Sequence, residues 1–521
     1  MNRAGHAGGA SRERAGRRVA WCARLFPLAL LVPVVLAACS SQRPGDLGAG
    51  SYLAPLVQLQ RLQGGNDHLH VDEVRLREDG MLLQCSYTFG VVDAREPGAM
   101  RYLAEGLRHE IPDDRRRPGC IHLAADGDDV YTTHRGNIRN PSFLSGWNIS
   151  DARNPVQLPV LQEQGVSYEG IDVANGYLFV GLHGRGLGVY RRTGVGGFER
   201  VGTATGLHNA WGVSARSDTV FVADGGGGLA IVDASNPANP VVRSSVATGG
   251  SATDVVVDND IAYVAAGSAG LVVVDVADLD APRVIGGAPT PGSAVRVDYS
   301  EGHAFVAAWT DARVYDVVVP GTPRLVGAVR LTREGSVEDP DRPALTSRIL
   351  GIAARGNVVF VGNWHVLHSF RLFPERAAPW LRLAEESLLV DFGQVAAGET
   401  ARRDLPITNE GTVPLAVLNA WVAGDAFEVE PARLSIPPGE TATLSLTFRP
   451  AALARKEEGY LQILSDDPMT PRRAAYLVGN QPGLSVGMEL PETRATLLDG
   501  TEWSSTETRG TVTVLAFFAT F

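Results

Sequence analysis

The sequence predicts an all-β chain, and three observations predict it. Gly numbers 59 and Pro 31 among 521 residues, with 20% of the chain charged, a balance that favours strands and tight turns over long helices. A short apolar motif closed by Asp recurs through the middle of the chain, with Asp233, Asp275 and Asp316 spaced 42 and 41 residues apart. Beyond residue 380 that period stops, and short alternating apolar runs separated by turn signals replace it. The length exceeds what one hydrophobic core usually supports, so several domains are expected.

The first 38 residues differ from the rest. Arg3, Arg12, Arg14, Arg17, Arg18 and Arg24 precede an apolar run from Leu25 to Ala38. That run is short for a membrane span but suits a secretory signal. It ends Leu36-Ala37-Ala38-Cys39, which resembles the bacterial lipobox. The resemblance implies cleavage before Cys39 and acylation of its thiol and amino group, giving a lipid anchor. Ser40, where an Asp would retain the protein at the inner membrane, implies an outer-membrane lipoprotein facing the periplasm or the surface. Residues 39–54 then form a tether. Loss of residues 1–38 removes six Arg and one Glu and takes the formal charge from −11 to −16. Such acidity argues against nucleic-acid binding, which needs a basic footprint. Cys85 and Cys120 remain for an oxidising compartment. Whether they pair is left open, because sequence does not fix their Cα separation.

Residues 55–380 carry the repeat. Ala262-Tyr263-Val264-Ala265 leads through a Gly-rich turn to Gly270-Leu271-Val272-Val273-Val274-Asp275 and Pro282. The design returns at Val220–Asp233 and Ala304–Asp316. Weaker copies end at Asp93 and Asp151, and two more place Arg191 and Arg371 where Asp is expected. Seven copies at a period of about 40–45 residues predict a seven-bladed β-propeller of four-stranded blades. Asp79-Gly80, Asn175-Gly176, Asn259-Asp260 and Glu301-Gly302 supply the hairpin turns, since these residues tolerate positive φ. Leu271–Asp275 and Leu229-Ala230-Ile231-Val232-Asp233 resemble the LVIVD repeats of bacterial envelope proteins. That resemblance implies a propeller and no particular activity.

The segment before each hairpin should line the central channel. Alignment on Tyr263 places His122, Gly170, Gly212, Asp254, Arg296 and Gly351 at one level. His122, Asp254 and Arg296 are therefore candidate contacts for a small polar ligand. His68, His70, His122 and His134 lack metal-ligand spacing. Asp126-Gly127-Asp128-Asp129 reads as a hairpin turn, because the later Glu of a calcium loop is missing. No catalytic residue, metal set or cofactor motif is expected.

Residues 385–481 predict an immunoglobulin-like β-sandwich, from alternating strands with turns every 8–12 residues. Asp391-Phe392-Gly393, Asn409-Glu410-Gly411, Phe448-Arg449-Pro450 and Ser465-Asp466-Asp467-Pro468 resemble the ASPM-SPD2-Hydin type of sandwich, a scaffold module without catalytic residues. Residues 483–521 hold Leu498-Asp499-Gly500, Trp503 and Val512–Phe521. They resemble the start of a thioredoxin-like redoxin, of the peroxiredoxin (AhpC/TSA-type) and thiol-disulfide oxidoreductase kind. That makes an incomplete α/β beginning. The resemblance implies a Cys-x-x-C helix after Phe521, and no such motif lies in the sequence. The expected role is non-catalytic binding of a protein or glycan partner, with membrane lipid engaged through Cys39. The alternative is a thiol-disulfide oxidoreductase whose catalytic half is missing.

Overall fold

The computed structural model describes residues 54–63, 71–111, 119–136, 142–193, 197–309, 311–331, 348–363, 366–383, 389–451, 456–468, 471–480, 494–496 and 502–504. The lipobox residues Leu36, Ala37 and Ala38, and Cys39 after them, lie outside that set, as do His68, His70 and most of 483–521. No helix is assigned among the described residues.

Among the described residues, seven four-stranded sheets form the propeller, as the repeat predicts. Each blade is an antiparallel meander whose first strand lines the channel. Blade 1 holds β2 (Glu73–Leu76), β3 (Met81–Cys85), β4 (Phe89–Asp93) and β5 (Arg101–Leu107); blade 2 holds β6 (Cys120–Asp126), β7 (Asp129–His134), β8 (Phe143–Asn148) and β9 (Val156–Leu161). Blade 3 follows with β10 (Ile171–Ala174), β11 (Tyr177–Gly181), β12 (Leu187–Arg192) and β13 (Phe198–Ala204), and blade 4 with β14 (Val213–Arg216), β15 (Thr219–Ala223), β16 (Leu229–Asp233) and β17 (Val241–Val246). Blade 5 is β18 (Asp254–Asp258), β19 (Ile261–Ala265), β20 (Leu271–Asp275) and β21 (Arg283–Ala288); blade 6 is β22 (Arg296–Ser300), β23 (His303–Ala308), β24 (Asp311–Asp316) and β25 (Arg324–Arg330).

Blade 7 is built from both ends of the propeller sequence. β26 (Ile349–Arg355), β27 (Val358–Asn363) and β28 (Val366–Leu372) are joined by β1 (Leu56–Gln63), which pairs antiparallel with β28 from Leu56↔Leu372 to Gln63↔Val366. This pairing closes the ring. Leu56, Phe370 and Leu372 share a buried cluster with Val314 and Val329 of blade 6. The strands Phe221–Ala223, Tyr263–Ala265 and Phe305–Ala307 are buried on both faces, as stacked blades require.

The recurring Asp now has a physical role. The side chains of Asp233, Asp275 and Asp316 accept the N–H two residues on, from Ser235, Ala277 and Val318, at 2.9, 3.0 and 3.1 Å. Each is an Asx turn that ends the strand. Asp275 and Asp316 also pair with Arg283 and Arg324 at the start of the outer strand. In blade 3 the charges are exchanged, with Arg191 paired to Glu199 at the same cross-strand position. The Arg where Asp was expected is thus compensated. In blade 2 the equivalent residue is Asn148, not Asp151. Asn148 faces Asp129 in the ladder, and its Oδ1 accepts the Ser150 N–H at 3.2 Å. Asn provides the same acceptor as Asp, so the blade 2 strand ends three residues before Asp151. Asp126–Asp129 is a hairpin turn, with Gly127 at φ 55°.

Cys85 and Cys120 form a disulfide, with Cα atoms 5.7 Å apart. It ties β3 of blade 1 to β6 of blade 2.

The sandwich packs two sheets. One is ordered β29 (Leu381–Arg382), β31 (Ala401–Asn409), β35 (Thr441–Phe448) and β33 (Phe427–Glu430). The other is ordered β30 (Leu389–Asp391), β37 (Arg472–Gly479), β36 (Glu457–Ser465), β32 (Leu415–Ala423) and β34 (Leu434–Ile436). The first sandwich strand therefore starts at Leu381, ahead of residue 385, because Leu381 and Arg382 pair with Asn409 and Thr408. A two-residue strand has no alternation for a sequence to show. Leu444, Leu446 and Phe448 point inward with intervening residues half-exposed or exposed, the period-2 pattern of a half-buried strand. Near the chain end, β38 (Arg494–Thr496) pairs antiparallel with β39 (Glu502–Ser504).

Candidate functional site: the charged channel

The inner strands β2, β6, β10, β14, β18, β22 and β26 present alternate residues to the axis. Two tiers result. The first holds Glu73, His122, Gly170, Gly212, Asp254, Arg296 and Gly351. The second lies two residues further along each strand and includes Arg75, Asp172, Ser214, Asp298 and Ala353. Together they line a cavity of about 270 Å³, with Gly170, Gly212 and Gly351 aside. The structure thus brings His122, Asp254 and Arg296 to one chamber.

Sequence alignment missed Glu73, the first-tier residue of blade 1. Its hairpin is one residue longer than the others. Arg77 donates its N–H to Met81 O at 2.9 Å around Glu78, Asp79 and Gly80, whereas Asn259-Asp260 alone turns blade 5. Counting back by the common interval lands on Val74. The three-residue turn was the available signal.

Gly170 and Gly212 are not ligand space. A Cβ at Gly170 would lie 2.2 Å from Trp211 O, and one at Gly212 2.6 Å from Asp254 Cα. The neighbouring inner strands approach too closely there for any side chain.

Three channel carboxylates join adjacent blades. Asp172 accepts Ala215 N–H at 2.9 Å, Asp254 accepts Val297 N–H at 3.0 Å, and Asp298 accepts Ala354 N–H at 2.8 Å. Each bond links an inner strand to the next one round. Arg296 reaches further. Its Nε donates to Glu73 Oε2 at 2.7 Å and its Nη2 to Ile121 O at 3.0 Å, so one side chain connects blade 6 with blades 1 and 2. His122 Nδ1 lies 3.7 Å from Glu73 Oε2.

Burial dominates the electrostatics. It pushes Glu73 up to about 7 against the opposing charge of Arg296, and Asp298 up to about 6 against two backbone N–H bonds. Asp254 is raised for the same reason. Burial and the charge of Arg296 hold His122 well below its usual range. A carboxyl raised in the fold keeps a proton that the unfolded chain has already lost. Its stabilisation is complete below about 4.5 and disappears as pH rises to about 7. The stability of Glu73→Gln relative to the native chain is therefore expected to improve by roughly 2–3 kcal/mol between pH 5 and 8. Urea denaturation at stepped pH checks this. A difference that stays flat with pH would show that Glu73 titrates as it does in water.

The sandwich motif residues serve structure. Asn409, fully buried, donates to Val413 O at 2.8 Å and Ile436 O at 2.9 Å, and accepts from Gly411 N at 2.9 Å. Asp466 and Asp467 accept the N–H groups of Ala416 and Leu381 at 2.8 and 2.9 Å. Phe392 packs on Phe448 with ring centroids 5.4 Å apart.

Glu410 joins the sandwich to the propeller. It meets Arg313 of blade 6 at 2.6 Å and Arg382 at 2.6 Å. Arg330 approaches Asp311 at 3.2 Å. Arg473 donates to Leu381 O at 3.4 Å, and burial together with the charge of Arg330 lowers it to about 10. Trp380 packs in the cluster that holds Tyr315 and Ala328.

Residues 381–472 match the family described as Abnormal spindle-like microcephaly-assoc'd, ASPM-SPD-2-Hydin. Residues 208–248 and 249–288 match the LVIVD repeat. Similar solved structures include the computationally designed Ika8 protein, at 11% identity over 61% of this chain and 100% of that one, with a TM-score of 0.43. Another is the WD40 β-propeller domain of Doa1, at 13% identity over 61% and 97%, with a TM-score of 0.43. No curated protein matches the chain. The chain carries LVIVD repeats within a β-propeller and, behind it, an ASPM-SPD-2-Hydin domain.

Proposed function

We propose that this is an envelope lipoprotein, anchored through acylated Cys39, that binds and scaffolds a protein or glycan partner without catalysing a reaction. The observation that carries the reading is the junction at Glu410. Its charged contacts with Arg313 and Arg382 hold the propeller and the sandwich as one platform. A platform that fixes two surfaces suits presentation of partners. The Leu36-Ala37-Ala38-Cys39 sequence supports the anchor, and the Cys85–Cys120 disulfide supports an oxidising compartment.

Metabolic labelling with an alkynyl fatty acid tests the anchor. The native chain is expected to take up label and sediment with membranes, and Cys39→Ala to do neither. An unlabelled, soluble native chain would end the lipoprotein reading. Photo-crosslinkers at exposed Tyr87 on the propeller and Trp421 on the sandwich test the binding role in intact envelopes. At least one discrete adduct is expected, and none from either position would count against it.

A further inference from the structure

Among the described residues, the exposed large apolar side chains of the propeller gather at one end of it. Val318 and Val319 are 72% and 64% exposed, and Val156, Val241, Val284 and Ile285 are exposed as well. All lie at the end of the blades that carries the Asx turns. Val318 and Val319 follow Asp316, Val156 faces Asn148 in blade 2, and Val241 faces Asp233 in blade 4. Val284 and Ile285 follow Arg283, which faces Asp275 in blade 5. Tyr87, between β3 and β4, stands at the other end. The turn itself does not demand valine. Where blade 6 has Val318-Val319, blades 1, 2, 4 and 5 have Arg95-Glu96, Ser150-Asp151, Ser235-Asn236 and Ala277-Asp278. Charges beside these apolar groups are paired, Arg243 with Asp280, Arg283 with Asp275 and Arg324 with Asp316.

The chain enters the propeller at this same rim. β1 begins at Leu56, opposite Leu372 at the end of β28, one residue past Arg371 at the Asx position of blade 7. Phe373 donates its N–H to Pro55 O at 2.7 Å, and Arg376 Nη1 donates to Ala54 O at 2.8 Å. Arg376 also lies over the Phe373 ring. These contacts fix the exit of the tether in blade 7, next to blade 6. Fourteen residues separate Cys39 from Ala54, a length that spans at most about 50 Å. The sandwich leaves the rim uncovered. Asp311 faces Arg330 at one end of the β24–β25 ladder and Asp316 faces Arg324 at the other, roughly 17 Å away. Glu410 and Arg473 of the sandwich meet the half that holds Asp311 and Arg313.

We propose that this rim rests on the lipid bilayer that holds Cys39, with Val318 and Val319 entering the interface. Exposed apolar groups among paired charges suit a zwitterionic lipid surface, and the tether leaves the propeller beside them. The sandwich is then carried on the side away from the bilayer. The inference rests on the lipoprotein reading and adds to it the face that the anchor turns to the membrane.

Fluorescence of the acylated full chain, reconstituted in phosphatidylcholine vesicles, tests the proposal. A nitrobenzoxadiazole dye is attached to Val319→Cys or, as the opposite-face control, to Ser268→Cys in the exposed turn between β19 and β20. Cys22 leaves with the signal, acylation caps Cys39, and Cys85 is bonded to Cys120, so only the introduced thiol takes the dye. At position 319 emission is expected to shift to the blue, brighten by about twofold or more, and be quenched by doxyl-labelled lipid. At position 268 none of these changes is expected. Val318→Asp in the position-319 chain should abolish the shift and leave the thermal melt unchanged, since Val318 is exposed. Equal emission and quenching at both positions would overturn the proposal, as would a shift that survives Val318→Asp. A blue shift without lipid quenching, growing with protein density on the vesicles, would assign the rim to a second copy and overturn it too. The mass of the peptide that begins at Cys39 reads the anchor separately. An acylated chain whose position 319 stays in water overturns this inference alone, whereas an unacylated Cys39 overturns the lipoprotein reading and this inference with it.

Discussion

A chain lacking β1, residues 56–63, is expected to lose the closed propeller. Truncating a buried leucine such as Leu56, 1% exposed, removes about 2–5 kcal/mol by itself. Deleting the strand also removes its ladder to β28 and uncovers Phe370 and Leu372. An apolar edge of that kind pairs with other chains. The expected result is a broad, non-cooperative melt with oligomers on size exclusion. The reason is topological. β1 precedes blade 1 and completes blade 7, so both ends of the repeat array depend on one pairing. A monomer with an unchanged melt would show that blade 7 holds with three strands.

Glu410→Ala is expected to destabilise the propeller–sandwich junction by about 3–5 kcal/mol, the range for removing one partner from a buried ion pair. Arg313 is 4% exposed on its side chain and would keep only Asp311, at 3.7 Å, as a counter-charge. Arg330 and Arg473 stand close by with the same sign. Scanning calorimetry should then separate a sandwich transition from the propeller transition. The double change Arg313→Met with Glu410→Leu removes both charges and should recover much of the loss. A Glu410→Ala chain that keeps one unaltered transition would show that these charges do not couple the domains.

Much of the fold was legible locally. Val272, Val273 and Val274 between Gly270 and Asp275 mark a strand entered from a turn and ended by an Asx cap. Leu444, Leu446 and Phe448 mark a half-buried strand by alternation. The channel level was legible for His122, Asp254 and Arg296, because their blades keep the common hairpin length. It was not legible for Glu73, where a three-residue turn shifts the count. The motif of blade 2 ends in sequence at Asp151, but the strand is capped at Asn148, which makes the same hydrogen bond under a different letter.

The sequence by itself determined the strand period, the turns, the number of blades and the change of domain near residue 380. These follow from alternation, turn chemistry and spacing, which are properties of neighbouring residues. Only the tertiary structure decided that β1 completes blade 7, that Asp172, Asp254 and Asp298 join one blade to the next, and that Arg296 meets Glu73. That last pair stands 223 residues apart in sequence. Their contact exists because the ring closes and brings its first and sixth inner strands to one axis, and no local pattern encodes a distance across a channel.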